Sequence, residues 1–149
     1  ACCQQGQAAR QRQEHMISQG LLQALAVAAG GATGALLRHG VNLLLPRSPQ
    51  HLFTFSTLAV NVAGCFAAGL LLVWISQRDD SGMWRALLLT GLLGGLTTFS
   101  AFGLDLLHLV RAERWGWLAL VVSLHVSLGL LAVILGWRGG RLLWPTGIL

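Results

Sequence analysis

Polar groups are scarce in the apolar stretches of this chain, and those that occur fall at regular spacings. Thr57 and Asn61 stand four residues apart, with Gly64 a turn further on, so on a helix they share one face. Ser123 and Ser127 repeat the four-residue step as a ladder of hydroxyls. Between these sets, Thr97, Thr98 and Ser100 flank Phe99, and Phe102 follows three residues later on the same helical face. Amides and hydroxyls of this kind can replace the water around an ion, and Asn61 then reads as a donor lining an anion path. The chain has no phosphate-binding Gly-Lys motif, no His/Cys cluster with metal spacing and no Ser–His–Asp order, so an enzyme is not expected. Each residue also has a packing reading: an interhelical hydrogen bond for Asn61, worth about 0.6 kcal/mol in a membrane, and core packing for the Phe pair. His125 reads as a neutral, hydrogen-bonded residue pointing away from the serines, and Asp105 as a carboxylate towards a span end.

The elements that must position these groups are membrane spans. The chain has 149 residues, 54 % hydrophobic and 10 % charged, with a mean hydropathy of +0.65. A soluble domain carries about 25 % charged residues. Runs free of Arg, Asp and Glu cover 15–37, 48–77, 86–104 and 115–137. A spanning helix needs about 20 mostly apolar residues, and each run can hold one. The expectation is an all-α membrane protein with four transmembrane helices near 19–40, 54–76, 84–110 and 115–137. Trp115, Trp117 and Trp137 mark the ends of the fourth as an aromatic belt.

The third span, 87–106, is the least regular. Gly91, Gly94 and Gly95 are followed by Thr97 and Thr98, and each Gly costs about 1 kcal/mol of helix propensity relative to Ala. Such a cluster fits a helix broken mid-membrane, tolerated where the freed backbone faces protein, water or an ion. It also fits a glycine-rich helix in close contact with a neighbour. In the first span Gly30 and Gly34 form a G-x-x-x-G face, open to either an intrachain or a dimer contact.

All ten basic residues are arginines, scattered singly between spans. No basic stripe interleaved with aromatics occurs, so nucleic acid is not an expected partner. With Arg10 and Arg12 of the tail set aside, four arginines fall on each side of the four spans: Arg78, Arg85, Arg138 and Arg141 against Arg38, Arg47, Arg111 and Arg114. Positive charge then gives almost no orientation, and two opposed copies could pair. Residues 1–15 are Gln-rich, polar and without period, which reads as a disordered tail of non-native origin ahead of Met16, with the membrane domain at 16–149. Pro46 and Pro49 bracket a short non-helical connection, and 77–82 is a polar turn. Cys2, Cys3 and Cys65 read as unpaired thiols.

Taken together, G-G-A-T-G-A-L-L-R, S-T-L-A-V-N-V-A-G and T-G-L-L-G-G-L-T-T-F-S-A-F resemble the CrcB/Fluc fluoride channels over roughly residues 22–137. The resemblance implies a broken third helix and an antiparallel, dual-topology homodimer in the plasma (bacterial inner) membrane. It implies a passive channel that lets cytoplasmic fluoride leak out and so reduces its toxicity. By motif position, a central sodium ion is held by the backbone carbonyls of Gly94 and Thr97. The fluoride pathway is Asn61, Phe99, Phe102, Ser123 and Ser127, with Thr98 and Ser100 as further hydroxyls. An aromatic ring has a positive edge, which suits an anion. Arg38 matches a structural Arg closing the first helix. Departures from the family are Ala119 in place of a Tyr, His39 in place of an aromatic, Ala101 between the phenylalanines in place of Thr, and Asp105 in place of Glu. Two rivals remain. A small dual-topology, proton-coupled multidrug exporter needs a titratable carboxylate mid-span, which residues 15–37 lack. A non-transporting structural subunit has no reason to keep Asn61, Phe99 and Phe102 on wet faces.

Overall fold

The computed structural model describes residues 2–45, 54–78 and 82–145, without the side chains of residues 2–6, 8 and 9. The Pro46–Pro49 connection with Arg47, and residues 79–81 of the polar turn at 77–82, lie outside the described residues, as do the thiols of Cys2 and Cys3. Six helical segments follow one another: α1 Cys2–Leu44, α2 Phe55–Ser76, α3 Arg85–Leu93, α4 Gly94–Leu96, α5 Phe99–Arg111 and α6 Trp115–Leu143. They give four stretches long and apolar enough to cross a membrane: Arg10–Leu44, Phe55–Ser76, Arg85–Arg111 and Trp115–Leu143. Only 11 to 28 % of the most apolar part of each is buried inside the chain. Leu36, Leu130 and Leu142 are among the large apolar side chains left outside, as expected where lipid is the solvent.

Two ends differ from the sequence expectation. The stretch expected to be a disordered tail continues α1 back to Cys2, because Ala, Gln and Arg are good helix formers and no Pro interrupts them. The last helix runs past Trp137 to Leu143. Gly140 lets its final turns lie against Val73 of α2, and the Arg141 guanidinium sits 5.0 Å from the centre of the Trp137 ring. Trp144 closes the helix through its N–H to the Gly140 carbonyl, just ahead of Pro145.

The glycines settle how the segments cross. A Cβ on Gly34 would collide with the Leu92 carbonyl and stand 2.7 Å from the Leu96 nitrogen, and one on Gly91 would stand 2.8 Å from the Val27 carbonyl. The G-x-x-x-G face of α1 is therefore an intrachain contact, closed backbone to backbone against Gly91 and Gly95. On the other side of the molecule Gly69 of α2 and Gly136 of α6 make a matching crossing, with Gly136 pressed on the Phe66 carbonyl. The third stretch joins these two pairs, α1 with α3 and α4, and α2 with α6. Its first part, α3, is wound as a π-helix, a wider turn often found near functional sites. Its last part, α5, packs on α6 through Phe102, Leu109 and Val121.

The loops are tied down by specific contacts. Arg78 stacks 3.8 Å from the centre of the Trp74 ring and 5.7 Å from that of Trp84, and the two indoles meet edge to face at 5.4 Å. Asp105 is 2 % exposed. Its carboxylate accepts from the Thr54 N–H at 3.0 Å and the Thr54 hydroxyl at 2.8 Å, just ahead of the first turn of α2. A negative charge there complements the helix dipole. Asp105 is thus committed to holding α2 to α5.

Candidate functional site

Between α4 and α5 the backbone leaves the helix for two residues. Thr97 (φ −81°, ψ 155°) and Thr98 (φ −152°, ψ 120°) are extended. β-Branched residues favour this region, whereas Gly94 and Gly95 remain helical. The departure falls at the threonines, and the glycines serve the crossing with α1.

Two of the N–H groups that the departure frees, those of Thr98 and Ala101, take new acceptors. In a continuous helix the Thr98 N–H would bond the Gly94 carbonyl; here it donates to Asn61 Oδ1 at 2.8 Å. Asn61 Nδ2 returns a bond to the Thr98 carbonyl at 3.1 Å, so one amide clamps one residue's whole backbone. The Ala101 N–H would bond the Thr97 carbonyl, but it donates to Thr98 Oγ1 at 3.2 Å, capping α5. Thr97 Oγ1 turns back on the Leu93 carbonyl at 2.9 Å, and its methyl is pressed on Gly64. The break in the ladder deprives the carbonyls of Gly94, Gly95, Leu96 and Thr97 of their helical donors.

Two cavities meet at this seam. The first, about 340 Å³, is walled by Asn61, Cys65, Phe99, Phe102 and His125, with Thr97 and Thr98 at its floor. The second, about 380 Å³, is walled by Arg38, His39, Asn42, Thr57 and Ser100, again with Thr98. Thr98 Oγ1 and Ser100 Oγ lie 3.0 Å apart across its edge, and either can donate. The phenylalanine rings touch edge-on, with centroids 5.5 Å apart and planes at 60°. Their environments differ sharply, because Phe99 is 82 % exposed and Phe102 is 8 % exposed.

The structure therefore brings Asn61, Thr98, Phe99 and Phe102 to one cavity and Ser100 and Arg38 to its neighbour. Ser123 and Ser127 reach neither; they lie on the outer face of α6 beside the exposed Val126 and Leu130. His125 was expected to point away, and it does point away from the serines, but into the first cavity. Its ring lies over Phe102, with centroids 4.4 Å apart and planes at 37°. A signal for this was available: His125 follows the fully buried Val121 by four residues and shares its inward face. Cys65 likewise enters the cavity from α2, one turn beyond Asn61.

Comparison with known proteins places the chain in a family. Residues 25–137 match the family model described as CrcB-like protein, Camphor Resistance (CrcB). The fluoride-specific ion channel FluC of Aromatoleum aromaticum is 46 % identical over 123 residues, covering 77 % of this chain and 92 % of the relative. That of Paracoccus denitrificans is 47 % identical over 118 residues, covering 78 % and 93 %. That of Xylella fastidiosa (strain 9a5c) is 43 % identical over 117 residues, covering 78 % and 82 %. With four spanning helices and a family match across all of them, the chain belongs to the CrcB family of multi-pass membrane proteins.

Proposed function

We propose that the chain is a passive fluoride channel that releases cytoplasmic fluoride and so limits its toxicity. Fluoride as the permeant ion is supported by the function named for its relatives. The observation in this chain that carries the channel reading is the rerouted bonding at Thr97 and Thr98, which gathers donors and bare carbonyls at one seam. Fluoride is small and strongly hydrated, so its path must offer replacement donors. Asn61 Nδ2 carries two hydrogens, and one of them remains after the bond to the Thr98 carbonyl. The Thr98–Ser100 hydroxyl pair can pass one hydrogen inward and leave the other for an anion. Phe99 and Phe102 add positive ring edges. Fluoride entering a cell as neutral HF dissociates and is trapped; the membrane potential then drives the anion out along such a path.

The working unit in this reading is an antiparallel pair of copies, each with its third helix broken at mid-membrane depth. Three features support it: the balanced arginines, the exposure of Phe99, and the placing of Ser123 and Ser127 on an outer face of α6. Hydroxyls facing lipid gain nothing, whereas hydroxyls facing a second copy can complete a polar track. Sodium would be held by the carbonyls of Gly94 and Thr97 from both copies. The donor set fits, since these hard oxygens have lost their helical partners and unwound carbonyls commonly ligate cations in membranes. A bound cation would supply positive charge that steadies an anion in the low-dielectric interior. The exporter reading is not favoured, because Asp105 is already committed to Thr54.

The test is fluoride efflux from liposomes holding the purified chain, with chloride as the paired control. Fast fluoride release without chloride release is expected. A well-formed dimer that releases neither ion would overturn the reading.

A further inference from the structure

The outer face of α6 ends in a groove that the pathway above does not use. Trp137, Arg138, Arg141 and Leu142 wall it, and its volume is about 550 Å³. All four residues are exposed. Arg138 and Arg141 stand three residues apart, so they are neighbours on one face of the helix. The Arg141 guanidinium is held 5.0 Å from the centre of the Trp137 ring. Stacking of this kind leaves the in-plane N–H groups of a guanidinium free to donate. Among the described residues neither arginine has a hydrogen bond or an ion pair. Two positive charges with unspent donors therefore line the same small space.

Depth in the membrane identifies what meets them. Trp117 and Trp137 are twenty residues apart on one helix, about 30 Å at the usual rise. That equals the hydrocarbon thickness of a bilayer, so the two indoles mark its two faces. Arg138 and Arg141 stand about 1.5 and 6 Å further along the axis, inside the headgroup layer, which is about 5–8 Å deep on each side. Towards the membrane centre the same face continues as the exposed Leu130 and Ile134. We propose that this groove binds the headgroup of an anionic phospholipid, its phosphate accepting from both guanidiniums and an acyl chain lying along Ile134 and Leu130. Guanidinium and phosphate match as a charge-assisted, two-pronged pair. A zwitterionic lipid would bring its own cation against the two arginines, whereas an anionic lipid with an uncharged headgroup alcohol would not.

The surroundings favour the same ligand. Gln77, at the end of α2, donates from Nε2 to the Trp144 carbonyl at 2.8 Å, which ties α2 to the end of α6 beside the groove. Arg78 follows it, stacked on Trp74 and Trp84, so this end of the molecule gathers a third positive charge. Basic pockets at this depth in membrane proteins take acidic lipid headgroups. A free phosphate would meet the same arginines but gain nothing from Leu142, Ile134 and Leu130, and that apolar lane commits the site to a lipid. Ser123 and Ser127 share this side of α6, but Arg138 stands eleven residues beyond Ser127, about 16 Å along the axis and at the edge of the bilayer. The inference does not depend on which ion the chain conducts.

The experiment is native mass spectrometry of the full chain, stripped of lipid in detergent and offered phosphatidylglycerol and phosphatidylethanolamine in equal amounts. The unsubstituted chain should retain phosphatidylglycerol at least about tenfold more than phosphatidylethanolamine. Arg138→Gln combined with Arg141→Gln should bring that ratio to about one. Arg111→Gln combined with Arg114→Gln removes equal charge at the opposite end and should leave the ratio unchanged. No preference in the unsubstituted chain, or an equal loss in both double variants, overturns the inference; the second result would mean that net charge alone attracts the lipid. Inorganic phosphate in large excess should not displace the lipid, and displacement would make the groove a site for free anions instead. An R138Q/R141Q chain that keeps its lipid preference but no longer pairs would assign the face to a second copy and likewise overturn the inference. Should R138Q/R141Q fail to fold, phosphatidylglycerol with a photoreactive acyl chain decides on the unsubstituted chain. Labelling concentrated on residues 130–142 and absent with the matching phosphatidylethanolamine is expected; labelling spread evenly over the four spans overturns the inference.

Discussion

Replacing Asn61 with Leu tests the seam most directly. The substitution keeps a span-compatible side chain of similar length but removes both bonds of the clamp, at 2.8 and 3.1 Å. Interhelical hydrogen bonds in membranes average about 0.6 kcal/mol and reach about 1.7. Two of them place the loss at about 1–3 kcal/mol, or about 5- to 150-fold in the balance between extended and helical Thr98. The freed Thr98 N–H has an alternative partner one turn back, the Gly94 carbonyl. The expected result is therefore not general unfolding but closure of the gap between α4 and α5, with that carbonyl drawn back into the helix. Fluoride efflux should fall by at least about tenfold, and amide exchange at Thr98 and Ala101 should slow to helix-like rates. The sodium site proposed above would lose the Gly94 carbonyl, so the selective thermal stabilisation by sodium over potassium that it predicts should be absent from N61L. An N61L protein that releases fluoride at the unsubstituted rate would refute the argument.

Three further outcomes follow from the same geometry. Phe99→Ile alters an 82 % exposed side chain, so the isolated chain should stay within about 0.5 kcal/mol of its stability while fluoride flux in liposomes is lost; retained flux would remove Phe99 from the pathway. Gly34→Val drives side-chain atoms into the α3–α4 backbone and should cost about 3 kcal/mol or more, read as loss of a monodisperse peak in detergent chromatography; a normal peak would contradict the glycine crossing. Asp105→Asn can still accept from the Thr54 N–H and donate to the Thr54 hydroxyl, but it loses the negative charge at the start of α2, lowering stability by about 0.3–2 kcal/mol in thermal melts. Its fluoride flux should not acquire proton coupling, and a flux driven by a pH gradient in either form would revive the exporter.

The four spans were legible because lipid imposes a crude demand, about 20 apolar residues, and uncharged runs report it without knowledge of tertiary contacts. The irregular third stretch was legible as a composition. The division of labour within it was not, because glycine permits both a break and a close approach. Only the positions of Gly30 and Gly34 on α1 show that Gly91 and Gly95 are used for approach, leaving the departure to Thr97 and Thr98. Asp105 was visible as a lone carboxylate, but its partner Thr54 lies 51 residues away, a separation that no local pattern encodes. Ser123 and Ser127 were correctly placed on a common face, yet a single chain's sequence cannot say whether that face looks inward. His125 carried its signal in its four-residue spacing from Val121. The run of α1 back to Cys2 was missed because polarity was taken to mean disorder, whereas a Gln- and Ala-rich segment continues a helix readily.

The bonding at Thr97 and Thr98 also bears on how quickly anything could pass. A hinge must trade bonds as it moves, and in an apolar medium each unmade bond is a barrier. Here the Thr98 and Ala101 amide hydrogens released by the departure are rehoused on Asn61 and on the Thr98 hydroxyl, which favours the opened shape as a resting shape rather than an excursion. An ion arriving at such a lining meets groups already in position and waits for no local rearrangement of the backbone. Throughput is then governed by how fast the ion sheds and regains water at the two mouths.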